Sequence, residues 1–260
     1  LPTGGLFLYE AAMPNFKLTI EYDGTAYCGW QRQAGDPTIQ EAIETALAVM
    51  VNRPVSVIGA GRTDAGVHAL GQVAHFKAET RLTPGVFLKG LNSLLPDDIV
   101  IRGCRRVPDA FHARYDARGK HYRYRVLNRS LPAAIGRHYA WHVRRPLDLA
   151  AMGQAAAALC GPHDFKSFEG AGSPRRSTVR TVFRCEVNPC GEDLLHLDIE
   201  GDGFLRHMVR NIAGTLVEIG SGRRPADDMP AILAARDRHR AGITAPARGL
   251  FLVGVDYGEE

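Results

Sequence analysis

Several absences narrow what this 260-residue chain can be. No stretch approaches the roughly 18–20 consecutive apolar residues that a membrane helix needs, which excludes a helical bilayer span. No Cys-x-x-Cys pair occurs, and the cysteines (Cys28, Cys104, Cys160, Cys185 and Cys190) are odd in number. Neither a disulfide framework nor a zinc ribbon fits that pattern. His-Glu-x-x-His and clustered Cys/His ligands are also missing, so no metal centre is expected. Residues 1–12 (LPTGGLFLYEAA) hold no positive charge and too short an apolar run for a secretory leader. They are read as an extension ahead of a start at Met13, and the cytoplasm as the compartment.

Lysine is scarce, with five residues among 32 basic ones. A genome rich in G and C would favour arginine in this way. It would not remove acids. Yet between Arg102 and Arg145 there are twelve basic residues and only two acids, Asp109 and Asp116. The net charge of +4 therefore hides one block of +10 and a remainder of −6. Such a block favours a polyanionic partner, nucleic acid above all.

Periodicity places the elements. Lys17–Tyr22 alternates with Leu18, Ile20 and Tyr22 on one face, as in a half-buried strand. Thr38 begins a helix, with Glu41 completing a capping box and Ile39, Ala42, Ile43, Ala46, Leu47 and Met50 on one side. Val55–Ile58 and Gln72–Phe76 read as strands. In the second half His121–Leu127 is a strand, Asp148 caps a helix, and Thr178–Val187 and Leu194–Glu200 are strands. A long helix is predicted from about Phe204 to Ile219, ended by Gly220-Ser221-Gly222, with Arg206 and Arg210 on its polar side. A last strand covers Phe251–Asp256. The expectation is α+β: two similar lobes of mixed helices and antiparallel strands sharing a sheet, at 13–117 and 118–260.

The densest local signal is Gly59-Ala60-Gly61-Arg62-Thr63-Asp64-Ala65-Gly66-Val67-His68-Ala69, in a loop between two predicted strands. The dinucleotide fingerprint G-x-G-x-x-G fails because position 64 is Asp, and a P-loop Gly-Lys-Ser/Thr is absent. What remains is a carboxylate two residues after an arginine on a glycine-flanked loop. An ionised aspartate there suits a nucleophile or base, or an ion pair that pins a turn; spacing alone leaves both open.

The run GAGRTDAGVHALGQVAHF resembles the signature of the tRNA pseudouridine synthase A (TruA) family. Other segments agree in the family's order. These are Glu21-Tyr22-Asp23-Gly24, Gly29-Trp30-Gln31-Arg32-Gln33, Thr38-Ile39-Gln40-Glu41, Phe111-His112-Ala113-Arg114 and Tyr122-Arg123-Tyr124. They continue with Asp164-Phe165 to Ser167-Phe168, Phe204 to Asn211, and Gly249-Leu250-Phe251-Leu252 to Asp256-Tyr257. The match spans roughly residues 16–257. It departs mildly at Asp202, where the family commonly has asparagine, and the first twelve residues match nothing.

The resemblance implies the pseudouridine synthase fold, with an active-site cleft between the lobes, and an isomerase without cofactor or metal. The substrate would be uridine at positions 38, 39 and 40 of the tRNA anticodon stem-loop. Asp64 matches the catalytic aspartate, whether it attacks C1′, attacks C6 or deprotonates C2′. Tyr122 matches a tyrosine that stacks on the target base, Arg210 an arginine paired with the carboxylate, and Leu250 a leucine of the uracil pocket. Arg62 is expected to hold the flipped nucleotide or orient Asp64. His68 is expected to be structural. Arg114, Arg118 and Lys120 are expected on the tRNA backbone, with a homodimer carrying tRNA across both subunits. The competing readings are a non-catalytic tRNA-binding or chaperone protein on the same fold, and a synthase acting on another uridine or RNA.

Overall fold

The computed structural model describes residues 13–172 and 176–258, so the N-terminal extension expected at 1–12 lies outside the described residues. In the first half, β1 (Asn15–Tyr22), α1 (Ile39–Val51), β2 (Val57–Gly59), β3 (His68–Lys77), α2 (Pro84–Leu94) and β4 (Ile99–Val107) follow in order. The second half holds β5 (Gly119–Asn128), β6 (Trp141–Val143), α3 (Leu149–Ala157), β7 (Gly161–Asp164), β8 (Val179–Cys190) and β9 (Leu194–Gly201). It ends with α4 (Met208–Gly220), α5 (Asp228–Ala235) and β10 (Leu250–Asp256).

The strands form one sheet in the order β4-β1-β3-β10-β5-β9-β8-β7, with β2 added to β3 and β6 to β5. The final strand joins the halves. β10 runs parallel to β3, pairing Phe251 with His68, and antiparallel to β5, pairing Leu252 with Tyr122. One continuous core results, from Phe16, Ile20 and Leu47 through Tyr124 and Leu252 to Ile199, Ile212 and Leu216. A small satellite of Ala60, Val73 and Ala113 is covered by Phe111, Val255 and Tyr257.

Caps start the helices where the sequence predicts. Thr38 Oγ1 accepts from the Glu41 amide at 3.4 Å and Asp148 Oδ1 from the Ala151 amide at 3.0 Å. The sequence reading places no element at α2, β4, β6, β7 or α5, and it starts α4 too early. β4 carries Arg102, Arg105 and Arg106 among its apolar residues, which blurs the alternation; it is an edge strand, where charges guard against pairing with other chains. α2 opens on Pro84 and contains Gly85 and Gly90, so its propensity is weak, and buried Phe87 and Leu91 hold it. α4 begins at Met208 rather than Phe204, because His207 takes the left-handed conformation (φ 59°). Arg206 therefore stands outside the helix that carries Arg210.

Candidate active site

The loop between β2 and β3 carries Asp64, and its backbone is clamped by residues 24–30. The Trp30 amide donates to the Thr63 carbonyl at 3.1 Å, and the Gly66 amide donates to the Tyr27 carbonyl at 3.3 Å. The Val67 amide closes the turn on the Asp64 carbonyl at 3.1 Å. Two glycines make the approach possible. A Cβ on Gly24 would stand 2.0 Å from the Val67 carbonyl oxygen, and one on Gly29 (φ +97°) would stand 2.5 Å from that of Thr63. Both flanks of Asp64 are thus pressed onto glycine backbone. Below them the Tyr22 hydroxyl meets Thr63 Oγ1 at 2.8 Å, and Gln72 Nε2 donates to the Gly61 carbonyl at 2.9 Å.

From the other side Arg210, in the first turn of α4, donates from Nη1 to Asp64 Oδ2 at 3.0 Å. Its Nε donates to the Ala245 carbonyl at 2.8 Å, and the Ala245 amide donates back to the Arg210 carbonyl at 3.1 Å. The guanidinium is therefore aimed by backbone as well as by charge. His207 Nε2 lies 3.5 Å from the same Oδ2. Asp64 Oδ1 has no hydrogen bond among the described residues. The carboxylate is 31% exposed and the arginine 16%, so the pair is neither sealed in the core nor fully solvated. Chemically this is a carboxylate with one oxygen committed to a cation and the other open to a reacting atom.

Tyr122 lies on the core face of β5, its ring 5.1 Å from that of Phe204 at an interplanar angle of 82°. Burial raises its phenol pKa far above the ordinary value, with the nearby Tyr22 and the Asp64 charge adding to the effect. Burial likewise pushes the Tyr22 phenol up to about 12, against the opposing hydrogen bonds from Thr63 and Gln72. Both hydroxyls stay protonated at neutral pH, so these rings offer apolar surface and a donor, not a base. Leu250 is buried and pairs with Tyr124 across the ladder, one step diagonal from Tyr122. The segment before it supplies the Ala245 contacts to Arg210, and its Ala247 methyl would lie 3.4 Å from a Cβ on Gly66.

The sequence-predicted residues fare differently. Asp64, Arg210 and Tyr122 converge. Arg62 does not orient Asp64: it is exposed, with no hydrogen bond or ion pair among the described residues, while Arg210 takes the carboxylate. His68 is buried, stacked on Phe251 at 4.7 Å, and its Nδ1 accepts from the Gly24 amide at 3.1 Å. Asp23 Oδ1 stands 3.0 Å from that nitrogen, but burial outweighs its attraction and lowers the His68 pKa.

The basic block divides. Arg102 pairs with Glu21 at 2.9 Å, Arg123 with buried Asp198 at 2.9 Å, and Arg129 with Asp193 at 3.0 Å. Those three acids lie outside the block in sequence, so its +10 is partly cancelled in space. Arg105, Arg106, Arg114, Arg118, Arg137, Arg144 and Arg145 are exposed. Lys120 shares the Tyr122 face of β5 by alternation, and its Nζ would lie 2.9 Å from a Cβ on Gly61. It borders the Asp64 loop.

Sequence reasoning did not assign His207, Thr63, Phe204 or Ala245 to the site. Phe204 acts through packing and Ala245 through backbone, which carry no residue-type signal, while Thr63 contributes both its carbonyl and its hydroxyl. His207 lay inside an unbroken helical pattern, and nothing local announces that a histidine will take positive φ. Among the described residues no group of three His, Cys, Asp or Glu side chains is arranged to hold a metal ion, and no helix is long and apolar enough to cross a membrane.

Comparison with known proteins follows the same map. A family model described as tRNA pseudouridine synthase matches residues 18–116 and 155–258. The tRNA pseudouridine synthase A of Ruminiclostridium cellulolyticum is 46% identical over 245 residues, covering 94% of this chain and all of that one. The protein of the same name from Acetivibrio thermocellus is 48% identical over 246 residues, with 94% and 100% covered. That from Geotalea uraniireducens is 47% identical over 245 residues, with the same coverage.

Proposed function

The chain belongs to the tRNA pseudouridine synthase family, and on that premise we propose that it isomerises uridine to pseudouridine in tRNA with Asp64 as its catalytic residue. The observation that carries the reading is the carboxylate itself: Oδ2 is bound by Arg210 and Oδ1 is open, beside the buried ring of Tyr122. A non-catalytic binder has no use for a carboxylate held in this way.

The reaction breaks the bond from C1′ to N1, turns the detached uracil and joins C1′ to C5. N1 gains a proton and C5 loses one, so atoms balance without an added reagent. An ionised carboxylate serves each of the routes open to it: attack at C1′, attack at C6, or removal of the C2′ proton. A stacked uridine cannot reach Asp64, so the base is extruded at a cost of about a few kcal/mol and held by stacking and edge contacts. Tyr122 supplies the stacking surface, Leu250 a wall of the uracil pocket, and Arg62, free of Asp64, a contact to the sugar or phosphate of the extruded nucleotide. Arg114, Arg118 and Lys120 bind the backbone, where phosphate contact positions a folded RNA without reading its sequence. The targets are uridines 38, 39 and 40 of the anticodon stem-loop. The functional unit is a cytoplasmic homodimer in which each chain uses one cleft between lobes 13–117 and 118–260.

The test is release of tritium from C5-labelled uridine in unmodified tRNA. Release without added metal, at positions 38 to 40, is expected. Binding of tRNA without release would favour a chaperone; release at other positions would favour a different uridine. Affinity should fall steeply with salt, and neutralising Arg114, Arg118 and Lys120 together should reduce both affinity and its salt slope.

A further inference from the structure

Three non-glycine residues among those described adopt positive φ: Asn52, Arg236 and His207. Asn52 and Arg236 follow the ends of α1 and α5, where a left-handed residue is the ordinary way to stop a helix. His207 stands at the opposite kind of position, the residue before α4 (φ 59°, ψ 1°). A residue there usually has extended backbone and a side chain that caps the first amides. His207 has neither, and its side chain makes no capping bond. A histidine in this conformation is strained where glycine would not be. Its ring lies elsewhere: Nε2 is 3.5 Å from Asp64 Oδ2.

The ring is also seated from behind. A Cβ on Gly170 would stand 2.6 Å from His207 Nδ1 and 2.9 Å from its Cγ, so the imidazole lies directly over the Gly170 backbone. That backbone is tied in turn, the Gly170 amide donating to the Arg206 carbonyl at 2.8 Å. The charged groups around the ring are Asp64, Arg210, Arg206 and Arg238, and burial with the three arginines lowers the imidazole pKa despite the pull of Asp64. The ring is seated at its Nδ1 edge and brings Nε2 beside the carboxylate.

We propose that His207 is a positioning residue for Asp64: with Arg210 it converges on Oδ2, fixes the rotation of the carboxylate, and so leaves Oδ1 as the oxygen that reacts. The strained turn at 207 is the means of bringing the ring there. This deepens the isomerase reading and rests on it.

The proposal separates stability from turnover in a way that a packing role does not. His207→Gly relieves the backbone and removes the ring; it should match or exceed the wild type in melting temperature while kcat for tritium release falls about tenfold, on the order of one positioning contact, with KM unchanged. His207→Gln restores a donor at nearly the same reach but keeps the strained φ; it should melt below His207→Gly and turn over faster than it. Gly170→Ala, at a buried position against the ring, should lower kcat by displacing it. A His207→Gly enzyme with wild-type kcat would overturn the proposal, as would parallel loss of melting temperature and kcat, or a Gln variant no faster than Gly. The wild-type assay keeps the two readings apart. No release by the wild type refutes the isomerase; release unaffected by His207→Gly refutes only the role of His207.

Discussion

Asp64 stands between two walls built by different means. Its own loop is fixed by close backbone contact, with Thr63 and Val67 pressed onto Gly29 and Gly24 and Gly66 bonded to Tyr27. The facing wall, residues 204–210 and 245–250, meets the carboxylate with side chains, the long one of Arg210 and the ring of His207. The first wall sets where the carboxylate is, and the second sets what its oxygens do. Substitutions on the two sides should therefore fail differently.

The largest effect on stability is expected in the loop wall. Gly24→Ala drives a methyl into the Val67 carbonyl, and Gly29→Ala adds a strained φ to a clash with Thr63. Overpacking of this kind costs about 1–3 kcal/mol, so melting temperature and turnover should fall together. A variant that melts like the wild type would show that the glycines do not seat the loop. Next comes the facing wall. Arg210→Ala should lower turnover by about 10²–10³-fold, the scale of a lost charge-stabilising donor, with a smaller change in melting temperature. Arg210→Lys should recover only part of it, because lysine cannot both bind Asp64 and donate through Nε to Ala245. Smaller still is Tyr122→Phe, expected within a few-fold of wild-type turnover if the ring matters more than the hydroxyl. A deep loss there would give the phenol a chemical part.

The mildest test is acid. His68, which receives the Gly24 amide, and His75, which receives the Ala113 amide, both have pKa values lowered by burial. The unfolded chain then binds protons below about pH 6.5 that the folded chain refuses. Their stabilising contribution is whole above that pH and is lost as the pH falls below it. The carboxylates with lowered pKa values, Asp23 and Asp198, enter only at lower pH. Melting temperature should thus drop between pH 7.5 and 5.5, and His68→Gln should flatten the slope. An unchanged slope would remove His68 from the account of the loop wall.

The same division explains what could be read beforehand. The loop wall is local in sequence. Gly-rich turns, a lone Asp and alternating Leu18, Ile20 and Tyr22 all leave patterns, and α1 and α3 begin at the caps that Thr38 and Asp148 announce. The facing wall is assembled from distant parts: 146 residues separate Asp64 from Arg210, and the Ala245 carbonyl that aims the guanidinium has no residue-type signature. Arg210 was reached through family resemblance, His207 not at all, because helical periodicity ran straight through the strained turn. Composition misjudged the basic block for a related reason. Its acids are absent along the chain but present in space, where Glu21, Asp193 and Asp198 pair with Arg102, Arg129 and Arg123.

One measurement bears most directly on all of this: tritium release from C5-labelled tRNA by Asp64→Asn, with tRNA binding measured on the same sample. The substitution keeps the size of the side chain and an oxygen for Arg210, and removes only the charge. Release should vanish while binding stays near that of the wild type. Release at the wild-type rate would contradict the central claim that the carboxylate held between the two walls performs the chemistry.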